Sequence, residues 1–535
     1  MRNMFKYQYK RNAGLVLAAG LMAAAGLASC KKYTELKPKN QVDEKVVFTD
    51  SSNIELALNG VYNTATVGSY NDSYSGRGYP FGAAAIEQDE MRGEDMVNLA
   101  TFYEITYKST YGTTTANNVA MWVNLYSVIN QANVFIEGIQ DAAKNNVISG
   151  PKELQLESEA RFLRALSAHE LVLHFCRPYA DGNGSQAGVP YRTVATNTVQ
   201  KVQQNLTMPR GTVADDYKAM LADLDFAEQN IGTGNAISKA NKGAAIALKT
   251  RIKLHMGDYA GVIAEATKLG ANLATPGSPV NGYKLEADPT TVFGSYSKNT
   301  ESIFSIANSV NANGDVNGAL AQMFGSSAPA AGRGLVAISP NLYNAAYWPT
   351  TDARRNLLLR QSGKQYIFTT KYTDYANKGD WAPIIRYAEV LLNAAEAYNR
   401  TGNAVQAYLL YKTVHNRSNK VGTIGNLPDL IPGTITDLTL AILNERRVEF
   451  VAEGRRWPDI HRLALDAKYG TGGIPAKVDP AILKSSGADY DTLKAPIIPT
   501  GIAAIPYSDY RFLWPFPATE TASNPTLKAS QNPGY

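Results

Sequence analysis

Apolar residues recur with helical period over nine stretches, roughly 51–66, 117–143, 153–176, 212–231, 238–256, 258–271, 384–401, 403–419 and 436–453. Between them run long segments rich in Gly, Asn, Ser, Pro and Tyr: 67–82, 178–211, 272–300, 308–352 and 465–509. Loops of that length in a compact protein usually carry function. The pattern predicts a mainly α fold, a helical scaffold bearing long loop insertions. Alternating runs at Ser302–Ile306 and Lys364–Phe368 predict small β-hairpins inside those insertions. Two helix–Gly–helix turns, at Gly257 and Gly402, resemble tetratricopeptide units, with small residues where the paired helices must approach. They are too far apart for a simple tandem array, so insertions must separate the repeats.

The apolar run at 13–28 has a different character. It follows a basic, polar start and is too short to span a bilayer comfortably, as expected of a secretory signal. It ends in Leu27-Ala28-Ser29-Cys30, a bacterial lipobox, in which the Cys30 thiol receives a diacylglyceryl group. Several acyl chains, each contributing ~0.8 kcal/mol per buried CH₂, anchor a protein stably. The reading therefore divides the chain into a signal peptide (1–29), a lipidated N-terminus and tether (30–50), and a single domain (51–535) with halves at about 51–235 and 236–535. Arg2, Lys6, Lys10 and Arg11 all lie in the leader. The formal charge of +5 thus overstates a nearly neutral remainder, and nucleic-acid binding through bulk charge is excluded as a default. The only other cysteine, Cys176, ends an apolar helical stretch and reads as packing.

Signatures of catalysis are missing: there is no H-E-x-x-H, G-x-S-x-G, P-loop or Rossmann fingerprint. The five histidines form no Cys/His cluster of metal-binding spacing. Glu87, Asp89, Glu90, Glu94 and Asp95 form an acidic cluster, read as a solvated loop and helix start with calcium as the functional alternative. Another dense mixture of charge, Glu445–Glu449–Glu453 with Arg446, Arg447, Arg455 and Arg456, reads as a salt-bridged latch, with Gly454 ending its helix.

Tyrosine is twice as frequent as phenylalanine, 31 against 15. Eight tyrosines fall within residues 62–126, where about four are expected from the chain average, and a second aromatic group lies at 343–381. Aromatic faces pack on the C–H faces of sugars, so the set predicts a carbohydrate platform. Its candidates are Tyr70, Tyr74, Tyr79, Phe102, Tyr103, Tyr347, Trp348 and Trp381.

Four pieces in order carry a family resemblance: the Cys30 lipobox; Ile384-Ile385-Arg386-Tyr387-Ala388-Glu389 running into Ala395-Glu396-Ala397; Asn444-Glu445-Arg446-Arg447 through Trp457-Pro458-Asp459; and Trp514-Pro515-Phe516-Pro517 with Asn532-Pro533-Gly534-Tyr535. With these the chain resembles the SusD/RagB nutrient-uptake lipoproteins of Bacteroidetes outer membranes. The resemblance implies four tetratricopeptide-like helix pairs, no catalysis and no cofactor. It also implies capture of oligosaccharides at the cell surface and delivery to a SusC-like, TonB-dependent outer-membrane barrel, with the membrane reached only through the lipid. The alternative is a lid subunit for a non-glycan nutrient such as peptide. Gln88–Gly93 resembles a stretch that supplies a binding arginine in the family, which makes Arg92 a candidate.

Overall fold

The computed structural model describes residues 44–70, 76–234, 236–362, 366–418, 436–484, 486–491 and 500–535. The leader, Cys30 and Tyr74 lie outside the described residues. The scaffold consists of α1 (Ser51–Val67), α2 (Ala83–Arg92), α3 (Ala116–Lys144), α4 (Gly150–Phe175), α5 (Val213–Asn230), α6 (Lys242–Met256), α7 (Tyr259–Lys268), α8 (Tyr387–Arg400), α9 (Ala404–Ser418), α10 (Leu438–Glu449) and α11 (Arg456–Arg462). Short connections make α3 and α4, α6 and α7, and α8 and α9 packed antiparallel neighbours. The stack continues through α4 on α5, α5 on α6, α7 on α8 and α8 on α10, so each helix buries its apolar stripe against the next.

Local sequence fixes the ends. Thr212 and Asp215 form a reciprocal capping box at the start of α5. Asn241 caps α6, and Gly257 closes it in the left-handed region at φ 72°. Asp258 then accepts from the Gly261 amide at 2.9 Å and opens α7. The tetratricopeptide-like turn predicted at Gly257 is therefore formed, and Gly402, at φ 91°, occupies the equivalent turn between α8 and α9.

Small antiparallel pairs sit in the insertions: β1 (Met96–Asn98) with β3 (Val336–Ile338), β2 (Ser302–Ile306) with β6 (Ala382–Arg386), and β4 (Leu358–Arg360) with β5 (Ile367–Thr369). The run at 302–306 is a strand as expected. The helix expected from residue 384 instead begins at Tyr387. Ala382–Arg386 are buried throughout, and their backbone pairs with β2 before the chain turns helical. Among the described residues no helix is long and apolar enough to cross a membrane.

The acidic run 87–95 departs most from expectation. It is neither solvated nor gathered around one point. Glu87, Asp89 and Glu90 lie on α2, which is buried along its whole length. Glu94 and Asp95 are held by Arg447 and Arg456, with Arg456 Nε 3.0 Å from Glu94. These guanidinium partners overcome the burial cost and hold the Glu94 carboxyl at about 2. Among the described residues, Asp89 alone of the five joins a potential ligand group, with Glu170 and His174. Arg92 and Arg455 already supply positive charge there.

The latch is present, but its pairings are long-range rather than along one helix. Arg354 binds Asp352, Glu445 and Glu449; Arg386 binds Glu301, Glu449 and Glu453; Arg417 binds Glu301 and Glu449. Arg446 turns away to Asp459 at 2.7 Å. The helix itself ends at Glu449. Gly454 terminates the following turn, at φ 69°, where its amide donates to Glu90 Oε1 at 2.8 Å.

Candidate functional site

The candidate residues separate by burial. Arg92 is wholly inside, its guanidinium 3.4 Å from the centre of the Trp457 ring. It donates to the Phe512 carbonyl, and its Nη1 lies 3.5 Å from His174 Nδ1. Burial pulls its pKa down to about 10. His174 stacks on Trp514 with centroids 4.3 Å apart. Trp457 Nε1 donates to the Leu173 carbonyl at 3.0 Å, and Asn532 caps the Phe175 and Trp514 carbonyls. Arg92 thus joins the core elements that tie the C-terminus to α2 and α4, and the expectation that it binds ligand is corrected.

Trp348 is also internal. Arg355 lies 4.5 Å from its ring centre, and Tyr343 packs against its edge. Although it lies between Tyr347 and Pro349 in a long connection, Tyr343 and Arg355 of that connection pack around it. Tyr347 is half-buried beside Arg447, and Trp381 is half-buried against Tyr296. Tyr79 and Tyr103 are fully buried. The single platform expected from all these rings is not formed.

A smaller group remains at the surface. Phe102 and Tyr70 are both half-buried, with Tyr103 edge-on beneath Phe102 at 4.8 Å and Tyr79 stacked beneath Tyr70 at 6.3 Å. Arg77 lies 4.3 Å from the Tyr70 ring centre and 5.4 Å from that of Phe102. Arg333 approaches Phe102 at 6.0 Å, and its Nη1 donates to Asn317 Oδ1 at 2.9 Å. Two aromatic faces and two guanidiniums from three separate loops therefore meet at one place.

Sequence reasoning missed both arginines, although each is the middle of a Gly-Arg-Gly triplet. The glycines are what let the loops meet. A Cβ on Gly318 would fall 2.2 Å from the Arg77 carbonyl carbon. One on Gly78, at φ 83°, would meet the Ala83 amide nitrogen at 2.6 Å. Arg77 itself is held at φ 50°, a left-handed conformation that costs a non-glycine residue about 1–2 kcal/mol and tends to persist at functional positions.

Beneath the group, Glu87 is fully buried near the Tyr103 hydroxyl and Arg333. Burial outweighs both and pushes its carboxyl up to about 8, so it is largely protonated at neutral pH. Gln88 donates to Tyr79 Oη at 3.2 Å, and Tyr79 Oη donates to Asn117 Oδ1 at 3.1 Å. Gln88, Tyr79 and Asn117 thus form a hydrogen-bonded lower layer beside the buried Glu87 carboxyl, while Tyr70, Phe102, Arg77 and Arg333 lie above it. That arrangement suits recognition of a ring-shaped, hydroxylated ligand, and among the described residues it contains no nucleophile–base pair.

Comparison with known proteins agrees in family. Residues 364–535 match the model of the SusD family, and residues 32–254 match a second SusD-like model described as starch-binding and associating with the outer membrane. The SusD-like protein P38 of Formosa agariphila is 23% identical over 83% of this chain and 90% of its own length. The SusD-like protein P2 of the same organism is 25% identical over 78% and 80%. A SusD superfamily protein from Bacteroides fragilis superposes with a TM-score of 0.72 at 27% identity, over 90% of this chain and 99% of its own. The surface glycan-binding protein A of Bacteroides uniformis shares the fold at 0.66 and 19% identity, over 90% and 99%. With the helical stack, the inserted hairpins and both halves matched in order, the chain belongs to the SusD/RagB family.

Proposed function

We propose that the protein is a non-catalytic glycan-binding lipoprotein of the outer membrane. It captures oligosaccharides on the Tyr70–Phe102 surface and passes them to a SusC-like, TonB-dependent barrel. The observation that carries the proposal is the half-exposed Phe102 ring, flanked by Arg77 and Arg333. A ring face packs on sugar C–H groups, and guanidiniums donate to hydroxyl oxygens. Family membership, the outer-membrane description of one matching model and the glycan-binding relative from Bacteroides uniformis support the same reading. Cys30, in its lipobox, is the proposed anchor, and the cell exterior is the proposed side.

An array of oligosaccharides, followed by calorimetric titration of the wild-type protein and Phe102→Ala, tests the capture step. Loss of one stacked ring is expected to weaken binding by about 1–3 kcal/mol, by analogy with base–aromatic stacking, with an unchanged melting point. Undiminished affinity with retained stability would place the platform elsewhere. Co-purification of a tagged chain with a barrel from outer membranes tests delivery. Release of Cys30→Ala from the membrane fraction, in cells lacking the barrel, tests the anchor.

A further inference from the structure

The two guanidiniums at this surface differ from most others in the molecule. The buried latch arginines Arg354, Arg386 and Arg417 each contact two or three carboxylates. Among the described residues neither Arg77 nor Arg333 has a carboxylate within ion-pair distance. Among the described residues Arg77 lies over the Tyr70 and Phe102 rings, and Arg333 spends one nitrogen on Asn317 and Met323 Sδ. Three described acids close by in sequence or space are engaged elsewhere or neutral. Glu104, two residues beyond Phe102, pairs with Lys108, and Asp315, two residues before Asn317, pairs with Lys378 at 3.0 Å. Glu87 below is largely protonated at neutral pH. Among the described residues, the surface therefore places two guanidiniums beside the Phe102 ring with no carboxylate paired to either.

Guanidinium presents a planar fork of donors that matches carboxylate and sulfate oxygens in bidentate fashion. Neutral hydroxyls use that fork less fully. A wholly neutral glycan would leave both charges unpaired on binding. We propose that the saccharide bound at Phe102 is anionic: its sugar ring lies against Phe102 and Tyr70, and a carboxylate or sulfate substituent is held by Arg77 and Arg333. This inference rests on the glycan-capture reading of the same surface and adds the charge class of the ligand.

The test is an array containing neutral oligosaccharides, uronate oligosaccharides and sulfated oligosaccharides, followed by titration of the hits at low and high NaCl. Hits are expected among the anionic members. Their affinity should fall at least tenfold from 50 to 500 mM NaCl and at least tenfold in both Arg77→Gln and Arg333→Gln, with melting points retained. Arg77→Lys should recover part of the loss, because charge remains while the fork is lost. Uronate hits without sulfated ones, or the reverse, identify which anion is held, and either outcome supports the proposal. Hits among neutral glycans that depend on Phe102 would overturn the anionic assignment and leave glycan capture standing. Anionic hits insensitive to both arginine variants would also overturn it. Absence of any hit would overturn both readings.

Discussion

Two arginine–aromatic groups lie close together in sequence and end in opposite environments. Arg92 stacks on Trp457 inside the protein, with Trp514 and His174 completing the layer. Arg77 stacks on Tyr70 and Phe102 at the surface. The chemistry of contact is the same, and the difference is what surrounds it. At Arg92 the aromatic partners come from α4, α11 and the C-terminal segment, and the side chain is fully buried. At Arg77 glycine-rich loops bring the cation and rings together with Arg77, Tyr70 and Phe102 each half-buried. Residue type thus specifies the contact, and backbone permissiveness specifies whether a ligand can share it.

The comparison breaks first at the buried group. Trp457→Ala should cost about 3–5 kcal/mol of folding stability, since the ring is fully buried and its loss leaves a cavity. Arg92→Ala should cost at least about 2 kcal/mol through the desolvated cation–π contact. Chemical denaturation measures both. If Arg92→Ala keeps its stability and loses ligand, the two groups have been assigned the wrong way round.

The carboxyl beneath the surface group gives the next effect. Its pKa rises from about 4.5 when unfolded to about 8 when folded, so the folded state holds the proton more tightly. Below pH 4.5 both states are protonated and Glu87 contributes no pH dependence. From there to about pH 8 the unfolded state ionises while the folded state does not, so stability falls as pH rises. At ~1.4 kcal/mol per unit the ceiling is a few kcal/mol. Glu90, also raised to about 8, adds a slope of the same sign. Melting curves of Glu87→Gln across pH 4–9 should therefore decline less steeply than those of the wild type. An identical slope would mean that Glu87 is ionised, and the surface charge above it would be smaller than inferred.

Gly454→Val follows, at about 1–3 kcal/mol. At φ 69° a β-branched residue is strained, and the added Cβ would also lie 3.1 Å from Asp89 Oδ2 on α2. An unchanged melting point would show that the turn can adopt another path. Ligand affinity per folded molecule should not change, because this turn belongs to the buried side of the comparison.

The scaffold was legible because helical period, caps and Gly turns are local signals: the turn at Gly257 and the capping box at Thr212 depend on residues within one or two turns. The separation of Arg92 from Arg77 was not legible. Whether Trp348 or Tyr103 faces water depends on how its own loop and neighbouring segments fold around it, as Tyr343 and Arg355 do around Trp348, and composition does not encode that. Helix α2 was hidden for a related reason. Its acids suggest solvent, but they are accommodated by burial and by partners such as Gly454 that arrive from the far end of the chain. The family resemblance pointed the wrong way at Arg92, whose guanidinium lies against Trp457 and Trp514 in the core.

The smallest stability effect gives the sharpest contrast with Arg92. Arg77 occupies a left-handed backbone position at φ 50°. Arg77→Gly removes a strain of about 1–2 kcal/mol. Against this, glycine adds about 0.5–1 kcal/mol of unfolded-chain entropy, and the half-exposed cation–π contact forgoes roughly 0.5–1 kcal/mol. The terms nearly cancel, so the variant should lie within about 1 kcal/mol of the wild type in denaturant titration. Its affinity for the array-identified ligand should nevertheless fall by at least tenfold. Arg92→Ala should show the reverse pattern: a large loss of stability, with affinity per folded molecule preserved. A strongly destabilised Arg77→Gly would mean that the guanidinium holds the loops together, and Arg77 would then belong with Arg92 as a structural residue.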